Sequence, residues 1–518
     1  MQGFSYLIIK THADMRRYTP QNQLSFESFK TPFERKLDPA NKWVRLAKEI
    51  PWDDCATIYL RSLDEKVGRP CLDARLAVGS LLIKHLKGLS DRDVVEEISE
   101  NVYLQYFVGF SSFNPEAAFD ASLFVILRKR MGVSEFDEMN DLIISKALGI
   151  KHKDKREEGE KPKNKGKLKL DATVTDQMIV YPTDLGLLNR SREELERLID
   201  LLHQSNNSQE KPRTYRRIAR QRYLAVAMKK RKHKKVIRKA IGQQLNYIKR
   251  DIKIINTFWD ECGSHSSPFN FRDLKLLWVI QHIYKQQRKM YEHKTKSHPN
   301  RIVNIYQPYV RAIPRGKDKT AVEFGAKLGV SEFEGFSRLD HLSWEAYHEG
   351  KNDLVNQVQR YRKLKGYYPD VVLCDGIYLS RENRKWLKGK NIRHIGKPLG
   401  RPKEISPYAR RKLKKERGMR NHIEGKFGQG KNKYGLDRIR ARRQDTSQSW
   451  IAAIILVLNL VRWNKILAVL VFVIYQWAFI FSAFMKLLSK RLHQISAWVK
   501  HRIHLKNIFQ SIPEIHMT

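Results

Sequence analysis

The spacing of apolar residues changes several times along this chain, and each change predicts a different element. Between Asp73 and Leu89, the residues Ala77, Leu81, Leu82 and Leu86 recur at helical intervals, with Gly88 near the end. Ser90-Asp91-Arg92-Asp93 supplies an N-cap with an acid three residues on, opening a second helix over Val94 to Val108. At Lys167 the period drops to two, so Lys-Leu-Lys-Leu-Asp-Ala-Thr-Val-Thr predicts a strand, and Gln177 to Tyr181 predicts another. Helical spacing returns from Asp184 to about His298. Strand-like stretches follow at Ile302 to Tyr309, Thr320 to Leu328 and Gly335 to Leu339, then a helix from Ser343 or Glu345 to Lys365. The run Val371-Val372-Leu373-Cys374 is short and wholly apolar, as in a strand buried on both faces, and it delivers Asp375 at its carboxyl end.

These elements predict an α/β protein of several parts. Residues 1–150 form a small all-α amino-terminal domain, 151–167 a charged linker, and 168–465 a catalytic domain with a helical insertion over about 184–298. Residues 466–518 are an apolar, then basic, helical tail. The two helices joined at Gly88-Leu89-Ser90 suit a helix-turn-helix contacting a DNA end, or a bundle that braces the core. Ile466 to Met485 carries no charge and is long enough to cross roughly 30 Å of hydrocarbon. Its aromatic and β-branched content, Gln476 and Ser482, and cations on both flanks favour a buried helix or a self-association surface.

Charge narrows the function. Lys plus Arg number 99 against 55 Asp plus Glu, a formal net charge of +44, which implies a polyanionic partner. The interval Lys211 to Lys239 has no acid and is interleaved with Tyr215, Tyr223 and the apolar Leu224 to Met228. It predicts a helix with one buried side and one phosphate-facing side, carrying Lys229, Lys230, Arg231, Lys232, Lys234 and Lys235. A second cationic run, with Arg401 and Lys403, leads up to Glu424. Cys55, Cys71, Cys262 and Cys374 lack metal-binding spacing and read as reduced thiols of a cytoplasmic protein. The first residues have no basic lead-in or cleavage site of a signal peptide.

Three acids stand out. Asp171, in the alternating strand, and Asp375, closing the buried one, are both expected at strand ends. Glu424 lies on a basic helical stretch with Arg420 four residues before it and Lys431 seven after, on one stripe, and Lys426 nearby. Carboxylates of this kind hold hard divalent cations, and flanking cations grip phosphate oxygens. Asp176, Asp370 and the pair Asp340-His341 are weaker candidates, since turn chemistry explains the first two and no Ser or Cys elbow accompanies the third.

Arg-x3-Glu-x6-Lys at Arg420, Glu424 and Lys431 resembles most of the Tyr-x2-Arg-x3-Glu-x6-Lys signature of DDE transposases from bacterial insertion sequences. Leu-Asp-Ala-Thr-Val and Leu-Cys-Asp-Gly-x-Tyr are similar to that family's two aspartate regions. The likeness runs from about Leu168 to Leu460, and Pro39 to Gly132 resembles the helical domain that precedes the core. The signature Tyr is replaced by Arg417. The resemblance implies an RNase H-like core with a helical insertion, catalysis by Asp171, Asp375 and Glu424, and two Mg²⁺ ions, with Mn²⁺ able to substitute. It implies double-stranded DNA as substrate, cleavage at element ends, transfer of the 3′-OH to target DNA, and a homodimer on paired ends. A bacterial, nucleoid-associated location follows. The rival expectations are an RNase H-like nuclease without strand transfer and a membrane-anchored basic nucleic-acid-binding protein.

Overall fold

The computed structural model describes residues 36–64, 70–150, 162–205, 210–261, 268–317, 320–396 and 406–510. Arg401, Lys403 and most of the predicted linker lie outside these residues. Two compact units are present, residues 1–460 and 461–518.

The first unit begins with seven helices: α1 (Lys42–Glu49), α2 (Trp52–Leu60), α3 (Ala74–Lys87), α4 (Asp91–Glu100), α5 (Val102–Val108), α6 (Leu123–Arg130) and α7 (Val133–Ala147). The predicted start and stop signals hold at atomic detail. Asp73 accepts from the Arg75 and Leu76 amides, and Gly88 closes α3 at φ 71°. Ser90 and Asp93 form a reciprocal capping box. The predicted helix to Val108 is divided by Asn101, which ends α4 in extended backbone and caps α5. Buried Arg75 donates to the Tyr106 and Phe107 carbonyls, satisfying acceptors that the end of α5 leaves open.

Six strands make one mixed sheet: β1 (Lys167–Asp176), β2 (Arg311–Lys317), β3 (Thr320–Phe333), β4 (Phe336–Ser343), β5 (Val371–Leu373) and β6 (Arg393–His394). The order is β2-β3-β1-β5-β6, with β4 also pairing β3. β1 runs antiparallel to β3 and parallel to β5, and β5 is parallel to β6. β5 lies between two strands and all three of its residues are buried, which its apolar run requires. Ile302 to Tyr309 is not a strand but a loop, pinned by reciprocal Gln286–Ile302 hydrogen bonds and by turns on Asn304. Gln177 to Tyr181 makes only a single bridge, from Gln177 to Ile439.

Between β1 and β2 stand α8 (Asp184–Ser205), α9 (Arg216–Ala227), α10 (Lys234–Glu261) and α11 (Phe271–Glu292). Leu195, Leu198, Ile199, Leu245, Ile248, Ile255, Ile280 and Ile283 form a core shared by α8, α10 and α11, and Val226 of α9 packs with Leu185 and Ala240 in a smaller cluster. The crossover from β4 to β5 is α12 (Glu349–Lys365). α13 (Arg381–Gly389), α14 (Pro407–Met419), α15 (Asn421–Tyr434) and α16 (Gln444–Gln510) complete the chain. Asn140 of α7 and Asn459 of α16 both donate to the Ser337 carbonyl, and Asn459 also donates to Asn140. The amino-terminal helices are thereby tied directly to the sheet.

Ile451 to Leu460 of α16 is buried throughout. In the second unit, Val469, Phe472, Trp477, Phe479, Ile480, Phe481 and Phe484 are exposed, so the expectation of a buried helix over Ile466–Met485 fails. By length and composition alone, one helix among the described residues could cross a membrane, over Gln444–Val473, and part of it is core.

Candidate active site

Parallel pairing brings the first two acids together. The last couple of the β1–β5 ladder is Lys169 with Leu373, and Asp171 and Asp375 each lie two residues beyond it. Asp171 is therefore in mid-strand, paired with Val330 of β3, not at a strand end as expected. It still meets an open edge, because β5 has stopped beside it. Asp375 caps a single 3₁₀ turn, accepting from the Gly376 amide at 2.7 Å.

Glu424 reaches the same place from the first turn of α15. Arg420, at the joint between α14 and α15, connects all three acids. Its Nη1 is 3.9 Å from Asp171 Oδ2 and 3.9 Å from Asp375 Oδ2, and its Nη2 donates to Glu424 Oε1 at 3.1 Å. The Asp171 side chain is only 19% exposed, against 65% for Asp375 and 52% for Glu424. Burial raises the Asp171 pKa, the Ala172 amide and Arg420 pull it down, and the Glu424 and Asp375 charges push it up again. Burial also lifts the Cys374 thiol to about 12, so this neighbour of Asp375 is inert as a nucleophile.

Other predicted residues separate. Lys426 and Lys431 lie on α15, partly buried, with Lys431 two turns beyond Glu424 on its stripe. Gly425 and Gly428 have open space where a side chain would project, which suits close approach of a DNA backbone. Gly430 does not: it packs on Leu436 and Leu458. Lys229, Lys230, Arg231, Lys232, Lys234 and Lys235 are all exposed, but they cluster at the break between α9 and α10 instead of along one helix face. The exposed side of α4 offers Asp93, Glu96 and Glu100 with only Arg92, a poor surface for phosphates. Asp176 accepts from the Phe324 amide within the sheet, and Asp340 is buried beneath arginines. Lys167 was missed; it shares the Asp171 face of β1 and reaches Met419, next to Arg420. The Lys-x-Lys-x-Asp alternation that predicted the strand already placed it there.

Three hard oxygen donors converging on one cation fit a divalent ion chemically. Among the described residues, however, no group of three acids, histidines or cysteines is drawn tightly enough to hold one.

A Transposase DDE domain profile matches residues 372–461, which contain Asp375, Arg420, Glu424 and Lys431. A Transposase domain (DUF772) profile matches residues 31–130, the stretch of α1 to α6. An uncharacterized protein, ORF8 in the nfe locus of Rhizobium meliloti, is 32% identical over 195 residues, 37% of this chain and 86% of that protein. No solved structure matches at a significant level. On the two transposase matches, the chain belongs to the DDE transposases of insertion sequences.

Proposed function

We infer that Asp171, Asp375 and Glu424 form the catalytic centre of an enzyme that cuts DNA at the ends of its insertion sequence and joins the freed 3′-OH to target DNA. The observation that carries this is the single guanidinium within 3.1 to 3.9 Å of all three acids. Antiparallel strands, a crossover helix and then a parallel strand support an RNase H-like core.

The acids would hold Mg²⁺ or Mn²⁺, two ions in this reading. When bound, such ions lower the pKa of water and neutralise charge on the reacting phosphate. The chain's own residues do the rest. Arg420 and Lys431 hold phosphates flanking the scissile bond. Gly425 and Gly428 leave room for the backbone, and the exposed Lys229–Lys235 turn grips DNA at a distance without reading bases. Joining two ends to one target calls for two such centres, hence a homodimer on paired ends. The work is done on DNA in the cytoplasm, at the nucleoid.

The test uses purified protein, Mg²⁺ and duplexes carrying the sequences that flank its gene. Cleavage, and joining of a pre-cut end bearing a 3′-OH to a second duplex, is the expected outcome. Hydrolysis without joining would leave a nuclease.

A further inference from the structure

We propose that Arg420 is a counter-cation shared by Asp171, Asp375 and Glu424, so that the arginine and a divalent ion are mutually exclusive occupants among the three acids. The proposal rests on the catalytic reading above. It starts from how differently this arginine is held. Arg393 grips Glu416 with both nitrogens at 2.7 and 2.9 Å, and Arg128 grips Asp91 at 2.7 and 2.9 Å. Arg420 instead makes one hydrogen bond, to Glu424, and shares Nη1 between two aspartates that it touches at 3.9 Å each. It forms no planar fork with any one carboxylate. Three negative charges hold it by their combined field.

The three acids converge on this one guanidinium. Divalent ions of this class sit about 2.0 to 2.6 Å from their oxygens, well inside the spacing that the guanidinium imposes. Drawing the oxygens in around an ion removes the space Arg420 occupies and sets two like charges side by side. Arg420 must therefore leave. It is placed to do so, at the joint between α14 and α15, with its side chain 30% exposed. A DNA phosphate offers the departing guanidinium a new partner with better fork geometry. DNA and metal should then favour each other's binding, with Arg420 as the coupling element.

Mn²⁺ binding to the full-length protein without DNA, measured by calorimetry and by loss of the free-ion paramagnetic signal, tests this. Arg420→Gln should bind Mn²⁺ at least about tenfold more tightly than wild type, a gain of about 1.4 kcal/mol. Arg420→Lys, which keeps the charge, should stay close to wild type. Adding a generic duplex should tighten Mn²⁺ binding to wild type and have much less effect on Arg420→Gln. Equal or weaker binding by Arg420→Gln, with the fold intact by circular dichroism, overturns the proposal. The double variant Asp171→Asn/Arg420→Gln separates the two levels: if it binds Mn²⁺ as well as Arg420→Gln, the ion sits elsewhere and the catalytic reading itself fails. No binding by either protein overturns both.

Discussion

Asp137 and Asp141 of α7 meet Asp340 of β4 beneath two arginines, and this group makes a useful contrast with the acids around Arg420. Arg338 pairs with Asp141 at 2.5 Å and approaches Asp137 at 3.7 Å. Arg360 pairs with Asp137 and lies 3.5 Å from Asp340. Gln357 adds a hydrogen bond to Asp340, whose side chain is only 2% exposed. Here three acids have two arginines, and none of the three is more than 27% exposed. Asp171, Asp375 and Glu424 share the Arg420 guanidinium, and two of the three face solvent. The balanced group joins α7 to β4 and α12, where a buried ion network fixes how elements meet.

The largest effect expected from this contrast is on catalysis. Asp171→Asn, Asp375→Asn and Glu424→Gln each keep side-chain volume and remove one charged oxygen. Each should lower Mg²⁺-dependent cleavage by about 10³-fold or more, since metal-borne charge stabilisation is worth several kcal/mol. DNA-end binding, read by gel shift, should survive. Asp171→Asn should not lower the thermal midpoint of the metal-free protein, because burial already disfavours the Asp171 charge. Near-normal cleavage by any of the three removes that residue from the centre and erases its difference from the balanced group.

Next in size is the reverse experiment. Arg338→Ala leaves Asp141 without its closest cation in a buried setting, and should cost about 3 to 5 kcal/mol of stability. Cleavage per folded molecule should be unchanged. Urea unfolding and active-site titration give the two quantities separately. A stable variant with impaired cleavage would mean that this junction serves the chemistry.

A smaller effect concerns the outlying cations. Neutralising Lys229, Lys230, Arg231, Lys232, Lys234 and Lys235 should weaken binding to cognate and unrelated duplexes alike. It should flatten the log–log salt dependence by about 0.9 for each phosphate that is no longer neutralised. A defect confined to cognate ends would show that the turn reads bases.

Sequence pattern reached the acids because each lies in a strong local context: a period-two strand, an all-apolar strand and a cationic helical stripe. Register was beyond it. Only the pairing of Lys169 with Leu373 puts Asp171 level with Asp375, and that pairing joins residues about two hundred positions apart. β2 escaped notice because Pro314 and Gly316 break its pattern, and the ladder itself shifts register between Pro314 and Lys317. The break between α9 and α10 falls inside an unbroken basic run, where charge hides the loss of helical period. In α16 hydropathy is high on both sides of Leu460, yet one side is core and the other exposed. Hydropathy reports what a segment tolerates, not what covers it. Asp340 and Asp171 were likewise two acids on strands until burial and partner number told them apart.

The last and smallest effect is the balanced group's own share of the pH dependence of stability. Burial raises Asp340 and Asp141 to about 6, with the nearby arginines pulling the other way. In the unfolded chain both carboxyls release their protons near 4. Between about pH 4 and pH 6 the native state therefore holds more protons than the unfolded one, and stability falls as pH rises. Below the unfolded pKa there is no penalty; above about 6 it is complete. Asp340→Asn carries no titrating proton and should remove its share, on the order of 1 to 2 kcal/mol, of the drop in urea stability between pH 4.5 and pH 7. Asp141 remains, so the drop should shrink and not vanish. Cleavage should stay within about twofold of wild type, in contrast with the 10³-fold loss expected of Asp171→Asn. An unchanged drop would mean that Asp340 titrates as an ordinary carboxyl, and that the arginines offset its burial fully.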